Sequence, residues 1–234
     1  MIYRDGEHSY LLPTPELHAY FGRCGGVPER PLIDWAGQNF ANPRRMFIDV
    51  GAHVGTWTIR LAKLFAGVVA FEPQLDIFYR LCGSVAESGL SNRVICIRAA
   101  VGDQNGGTKQ LRITNVGGGD SSVVSLTSNQ APWVVNEPVP CCTLDNVQVP
   151  GVMGNLPAIG LLKIDVEGAE LDVLKGAMGV LERDGWPPIL FECWQDERGQ
   201  RREELFTFVR NRLRYHAEPI VGYPEMWLAQ RIRG

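Results

Sequence analysis

Residues 47–62 constrain this chain most. They read Phe-Ile-Asp-Val-Gly-Ala-His-Val-Gly-Thr-Trp-Thr-Ile-Arg-Leu-Ala, an apolar strand that turns through Gly51 and Gly55 directly into an amphipathic helix. Glycines permit a tight turn and let a ligand approach the backbone with no Cβ in the way. The first N–H groups of a helix lack partners within it and face whatever occupies such a turn. A second apolar run, Val68-Val-Ala-Phe71, stops at Glu72-Pro73. A carboxylate at the end of the second strand of such a unit is placed to accept two ribose hydroxyls. Strand, glycine turn, helix, strand and acid describe a nucleoside-binding half-sheet.

The same alternation continues along the chain. The spacing predicts strands over 46–50, 68–71, 93–100, 159–164 and 188–191, and helices over 56–65, 75–88, 170–181 and 203–213. Continuous apolar runs in four of these strands mark a parallel sheet buried on both faces. In the helix over 75–88, Leu75, Phe78, Tyr79, Leu81, Cys82 and Val85 recur at helical spacing, and Gly89 suits its C-terminal cap. Residues 215–220 and 225–231 read as a closing antiparallel hairpin. Two regions break the pattern. Residues 1–45 are polar and interrupted by prolines, with one short helix over 31–40, and read as a cap or lid. Residues 104–150 read as an inserted hairpin and loop above the sheet, pairing 108–115 with 139–144. The glycine-rich loop 117–125, Trp57 and Trp133 are candidates to shape a substrate site. The remainder, 46–234, forms one domain, a size that 234 residues allow.

Charge and cysteine usage narrow the class. The net charge of −3 argues against a protein that neutralises many phosphates non-specifically. Arg198, Arg201, Arg202, Arg210, Arg212 and Arg214 cluster near the C-terminus, but Glu197, Glu203 and Glu204 interleave with them, as on a solvated helix face. None of the six cysteines forms a C-x-x-C pair, so they read as reduced thiols of a cytoplasmic protein. No apolar run approaches the ~20 residues that span a bilayer.

The ligand class follows from the turn. A dinucleotide fold would show G-x-G-x-x-G for a pyrophosphate. Here Gly51 and Gly55 are separated by three residues and Asp49 precedes them. An acid beside the turn repels a pyrophosphate and welcomes an ammonium group. A ribose-bearing ligand with a cationic amino-acid end, S-adenosylmethionine, satisfies both Asp49 and Glu72. Asp165 and Glu192 end two further strands, where open αβ sheets place chemistry. The alternative for each acid is a helix N-terminal residue that complements the dipole. For Glu167 and Glu170 the two readings stand level; for Asp165 we take the functional one.

Five segments together resemble the FkbM family of methyltransferases: Phe47-Ile-Asp-Val-Gly-Ala-His-Val-Gly55, Ala70-Phe-Glu-Pro73, Cys142-Thr-Leu-Asp-Asn146, Leu162-Lys-Ile-Asp-Val-Glu-Gly-Ala-Glu170 and Val173-Leu-Lys-Gly-Ala177. The resemblance implies a class I, Rossmann-like sheet of seven strands in the order 3-2-1-4-5-7-6, strand seven antiparallel. It implies an S-adenosylmethionine-dependent O-methyltransferase acting on a hydroxyl of a sugar, glycan or small metabolite. Carried over by position, Asp49, Gly51, Ala52, Gly55 and Thr56 line the methionine end, and Glu72 and Pro73 hold the ribose. Ala100 and Val101 flank the adenine, and Asp165 and Glu167 lie near the sulfonium. His53 stands where the family more often has Asn, a position that tolerates left-handed geometry.

An aliphatic hydroxyl must lose its proton during methyl transfer. Asp165, Glu192 and His53 are the candidate bases, and we take Asp165. No metal is expected as a resident group. Asp165 and Glu192 are the pair a divalent cation would use to clamp an acceptor diol. Two other classes stand beside this reading: 2′-O-methylation of an RNA ribose or cap, which calls for a Lys-Asp-Lys-Glu set, and a non-catalytic S-adenosylmethionine-binding module. No membrane partner is expected.

Overall fold

The computed structural model describes residues 1–113, 122–123, 135–147, 157–193 and 199–231. Strands β1 (Ile2–Asp5) and β2 (His8–Leu11) open the chain, followed by helices α1 (Pro15–Arg23) and α2 (Arg30–Phe40). Then come β3 (Asn42–Val50), α3 (Thr56–Leu61), β4 (Phe65–Phe71), α4 (Leu75–Glu87) and β5 (Val94–Ile97). Strands β6 (Ala100–Val101), β7 (Thr108–Ile113), β8 (Ser122–Val123) and β9 (Val135–Cys142) interrupt the alternation. It resumes with β10 (Ile159–Ile164), α5 (Glu170–Lys175), α6 (Met178–Arg183), β11 (Ile189–Glu192), α7 (Gly199–Thr207), β12 (His216–Ile220) and β13 (Tyr223–Gln230).

Seven strands form one sheet in the order β12-β13-β11-β10-β3-β4-β5. Numbered within this sheet alone, the order is 3-2-1-4-5-7-6. Strands β11, β10, β3, β4 and β5 pair in parallel, and β13 runs antiparallel to both β11 and β12. Period-two alternation sends successive side chains to opposite faces. Phe47, Val68, Leu161 and Leu190 pack with α2, α3 and α4 on one side. Ile48, Val69, Leu162 and Ile189 pack with α5, α6 and α7 on the other. Both faces are covered, so the strands that carry the site end in a rigid frame.

Several elements depart from the sequence reading. The third strand was expected over 93–100, yet β5 ends at Ile97. Its partner β4 stops at Phe71, the Glu72 N–H caps the Ile97 carbonyl at 3.1 Å, and Arg98 turns away to the Pro138 carbonyl and Glu137. Ala100 and Val101 then pair with Cys141 and Cys142. In place of the single hairpin expected within 104–150, the described residues form a second sheet in the order β6-β9-β7-β8, with β7 and β9 paired antiparallel from Thr108–Pro140 to Ile113–Val135 and β8 on the other edge of β7. Most of the glycine-rich loop over 117–125 lies outside the described residues, as does Trp133. The helix expected over 170–181 is two helices. A Cβ at Gly176 would lie 1.9 Å from the Gly102 carbonyl oxygen, so the chain breaks where β6 presses against it. On α4, Leu75 and Tyr79 face outward, 36% and 63% exposed. Gly89 ends that helix with φ +67°, and Leu90 N–H reaches back to the Val85 carbonyl.

The first 45 residues carry more structure than their polar composition suggested. Tyr10, Leu12, Phe21, Leu32 and Ile33 are fully buried in the same cluster as Phe47 and Trp57. Ser84 on α4 and Ser88 at its C-terminal cap accept the Leu11 and Ser9 N–H groups at 2.8 and 2.9 Å, and Arg60 on α3 pairs with Asp5 and Asp34.

Candidate functional site

The carboxyl ends of β3, β4, β10 and β11 open onto one crevice of about 310 Å³. Its floor is the turn Gly51-Ala-His53 with Thr56 and Trp57. Glu72 and Pro73 form one side, Ala99, Ala100 and Val101 another, and Lys163, Asp165, Val166, Glu167, Ala169 and Glu192 the third. Leu17, Tyr20, Phe21, Pro28 and Glu29 close it from the N-terminal segment.

The turn is held by its neighbours. Gly51 and Ala52 N–H both donate to the Phe71 carbonyl, at 3.0 and 2.9 Å. Gly51 has φ +82°, and a Cβ there would lie 1.8 Å from the Asp165 carbonyl oxygen. Glycine is therefore required both by conformation and by the approach of the next strand's exit. His53 takes φ +52°, the left-handed geometry anticipated for that position, and its backbone N–H donates to Glu72 Oε2 at 3.0 Å. Gln74 N–H donates to Glu72 Oε1 at 2.9 Å. Glu72 is thus pinned by two backbone donors, one per oxygen, with the second lone pair of each left for a ligand. Burial pushes its carboxyl up to about 7, against the pull of those two N–H groups.

Beneath this wall lies a buried ion cluster. Lys163 Nζ is 3.0 Å from Asp165 Oδ2 and 3.6 Å from Asp49 Oδ1, and it stacks over the Trp57 indole at 5.6 Å from the ring centre. Thr58 donates its hydroxyl to Asp49 at 2.6 Å. Burial works against the ammonium, but Asp165, Asp49 and Glu29 outweigh it and hold Lys163 above the ordinary lysine range. Burial raises the Asp49 carboxyl, opposed by Lys163 and Thr58. Lys163→Met keeps the stem volume and strands Asp49. We expect a loss of about 3 kcal/mol at neutral pH. Because a protonated Asp49 needs no cation, urea denaturation should show the deficit shrinking as the pH is lowered.

The expected residues divide accordingly. Gly51, Ala52, His53, Thr56, Glu72, Pro73, Ala100, Val101, Asp165, Glu167 and Glu192 line the crevice together. Asp49 and Gly55 lie behind it. Asp49 is 0% exposed and engaged with Thr58 and Lys163. A strand residue one pleat below the turn points into the helix layer, not along the strand axis. Gly55, at φ +94°, admits Leu81, which a Cβ would meet at 2.9 Å. The Asp165 side chain is 30% exposed toward the crevice. Glu170 is structural: its Oε1 accepts the Gly168 N–H at 2.8 Å and fastens the turn after β10. One carboxylate oxygen each from Asp165, Glu167 and Glu192 lie within 4.8 Å of one another.

Sequence reasoning did not assign Lys163 to the site, although a lysine inside the apolar run Leu161-Leu-Lys-Ile164 signals a buried partner. Glu29 and Tyr20 carried no signal. They reach the crevice only because the N-terminal segment docks there; Glu29 accepts the Trp57 Nε1–H at 3.0 Å.

The family model for the methyltransferase FkbM domain matches residues 49–218. The chain belongs to the FkbM methyltransferase family. No match was found among curated proteins. Among solved structures, an FkbM methyltransferase from Methylobacillus flagellatus KT is similar with TM-score 0.51 and 16% identity, over 80% of this chain and 43% of that one. The present chain therefore spans less than half the length of that protein. Cofactor-bound Rv0187 from MTB aligns with TM-score 0.54 and 14% identity, covering 92% and 89% of the two chains. A putative rRNA methylase from Clostridium thermocellum aligns with TM-score 0.52 and 12% identity, covering 85% and 91%. At these identities the likeness concerns the fold, and the family model is that of a methyltransferase domain. No helix among the described residues is long and apolar enough to cross a membrane.

The methyltransferase fold implies S-adenosylmethionine, and the crevice fits it. Glu72 presents two carboxylate oxygens to the crevice, as a ribose diol requires, and Ala100 with Val101 gives a small apolar surface of the kind a purine needs.

Proposed function

We propose that this FkbM methyltransferase transfers a methyl group to a hydroxyl of a sugar, glycan or small metabolite. The observation that carries the reading is the pairing, in one crevice, of the doubly pinned Glu72 after β4 with the part-exposed carboxylate of Asp165 after β10, on the far side of β3. S-adenosylmethionine supplies an electrophilic methyl on a sulfonium that needs little help to leave. The protein's task is to hold the acceptor oxygen in line and to take its proton.

In this reading Glu72 accepts the ribose diol, the turn over 51–53 with Thr56 receives the methionine end, and Ala100 and Val101 flank the base. Asp165 removes the acceptor proton; Lys163 holds its carboxylate from below at 3.0 Å. Glu192, Glu167 and His53 border the acceptor, and residues 1–45 act as the cap that keeps water from it. Isotope-labelled S-adenosylmethionine offered with hydroxyl-bearing acceptors, followed by NMR of the methyl carbon, tests the reading. Methyl transfer to nitrogen or carbon in place of oxygen would overturn it. The RNA 2′-O reading finds less support: Lys63, Lys109 and Lys175 pair with Glu7, Asp103 and Asp172, and only Lys163 lines the crevice.

Two solution tests follow. A ligand whose hydroxyls donate to Glu72 favours its carboxylate, so binding releases a proton and affinity rises with pH through about 7. Calorimetry in buffers of different ionisation enthalpy reads that proton directly, and Glu72→Gln should lose it along with roughly tenfold or more in affinity. The ligand-free protein shows the same linkage in reverse. The folded pKa lies above the unfolded value of 4.5, so Glu72 contributes stability at low pH that is lost as the pH rises through about 7. The second test is metal removal. Proton transfer to Asp165 needs no cation, so turnover should survive EDTA. Loss of turnover, restored by a divalent ion, would place that ion among Asp165, Glu167 and Glu192.

A further inference from the structure

The charge of the crevice wall bears on which hydroxyl compounds can enter it. Glu29, Asp165, Glu167 and Glu192 line it beside Glu72, and Lys163 is the one Lys or Arg side chain on the wall among the described residues. Lys163 is itself held between Asp165 and Asp49. The imbalance does not depend on what else Glu167 and Glu192 touch, because Glu29 and Asp165 alone outnumber Lys163. A site that binds phosphate or carboxylate presents Arg or Lys for charge-assisted hydrogen bonds. This crevice presents the opposite sign, and a wall with low-dielectric surroundings focuses that field.

We infer that the acceptor is an uncharged or amine-bearing hydroxyl compound, that phosphorylated, sulfated and carboxylated acceptors are rejected, and that Glu29 of the N-terminal segment contributes to this selection. The inference deepens the O-methyltransferase reading and rests on it. Glu29 is suited to the role. Its carboxylate lines the crevice, is oriented by the Trp57 indole N–H at 3.0 Å, and acts on Lys163, which stacks on the same indole. Tyr20 and Pro28 beside it offer apolar surface to a sugar ring. Repulsion of a misplaced anion is as effective a selector as attraction of the right ligand.

The test uses the S-adenosylhomocysteine complex of the full chain and two nitroxide probes of similar size, one bearing an amine and one a carboxylate. Their paramagnetic relaxation of the Tyr20, Gly168 and Ala169 amides is compared, with Leu64, 39% exposed just before β4 begins at the opposite edge of the sheet, as the reference. A local potential of one thermal unit attracts one probe and repels the other, so the cationic probe should act about sevenfold more strongly. Glu29→Gln should lower that ratio toward unity while Leu64 is unaffected. A ratio of one or below in the unaltered protein overturns the inference, and so does a ratio indifferent to Glu29→Gln for the role given to Glu29. A second arm offers matched sugars, plain, amino and phosphorylated, with labelled S-adenosylmethionine; preferential methylation of the phosphorylated sugar overturns the inference. Calorimetry separates the two levels. Failure to bind S-adenosylmethionine defeats the methyl-donor reading, whereas tight binding with an anion-preferring rim defeats only the charge selection.

Discussion

Asp165→Asn is expected to lower methyl transfer by about 10²–10⁴-fold, the usual contribution of a positioned general base, with cofactor affinity nearly unchanged. The substitution keeps shape and keeps one acceptor oxygen for Lys163, which lies 3.0 Å from the carboxylate. The turn Gly51-Ala-His53 is held by the Phe71 carbonyl and by Glu72, neither of which touches the Asp165 side chain. The cofactor end of the crevice should therefore be intact while the proton acceptor is gone. Single-turnover rates with the cofactor Kd from calorimetry separate the two effects. Full turnover in Asp165→Asn would transfer the role to Glu192 or His53, which border the same space.

Gly51→Ala is expected to abolish folding or to cost more than about 4 kcal/mol, which marks a named structural conflict and not a surface effect. Two penalties coincide there. An L side chain at φ +82° is strained by roughly 1–2 kcal/mol. The added Cβ would also sit 1.8 Å from the Asp165 carbonyl oxygen, a backbone atom of the adjacent exit that no rotamer change can move. The Asp165 N–H is itself bonded to the Val50 carbonyl at 2.9 Å, so relief would require parting the two central strands. Gly89→Ala is the control. Gly89 has a similar φ of +67° but nothing within 4 Å of its Cβ position, so only the conformational penalty of about 1 kcal/mol applies. Equal denaturation midpoints for the two variants would show that the close approach at Gly51 is not rigid.

The parts of this protein that could be read from residue order are those governed by local pattern. Uninterrupted apolar runs located β3, β4, β10 and β11, and the glycine turn after Val50 located the crevice. An acid closing a strand placed Glu72, Asp165 and Glu192 at its edge. Asp49 was also read as a contact of the ligand, because counting along the sequence puts it as close to the turn as the others. The pleat turns its side chain into the helix layer, behind the crevice wall, where it meets Thr58 and Lys163. Gly55 also lies behind the crevice wall, where a Cβ would meet Leu81 of α4 at 2.9 Å.

Residue order alone determined the class of sheet, the turn that receives a nucleoside and the carboxylates along its edge, because helix and strand periods and backbone turn rules act over a few residues. Tertiary structure alone decided which of those carboxylates face open space, that Lys163 joins two of them from below, and that Tyr20 and Glu29 roof the crevice. Those outcomes depend on contacts such as Leu11 with Ser84 and Trp57 with Glu29, 73 and 28 residues apart, which no local period encodes.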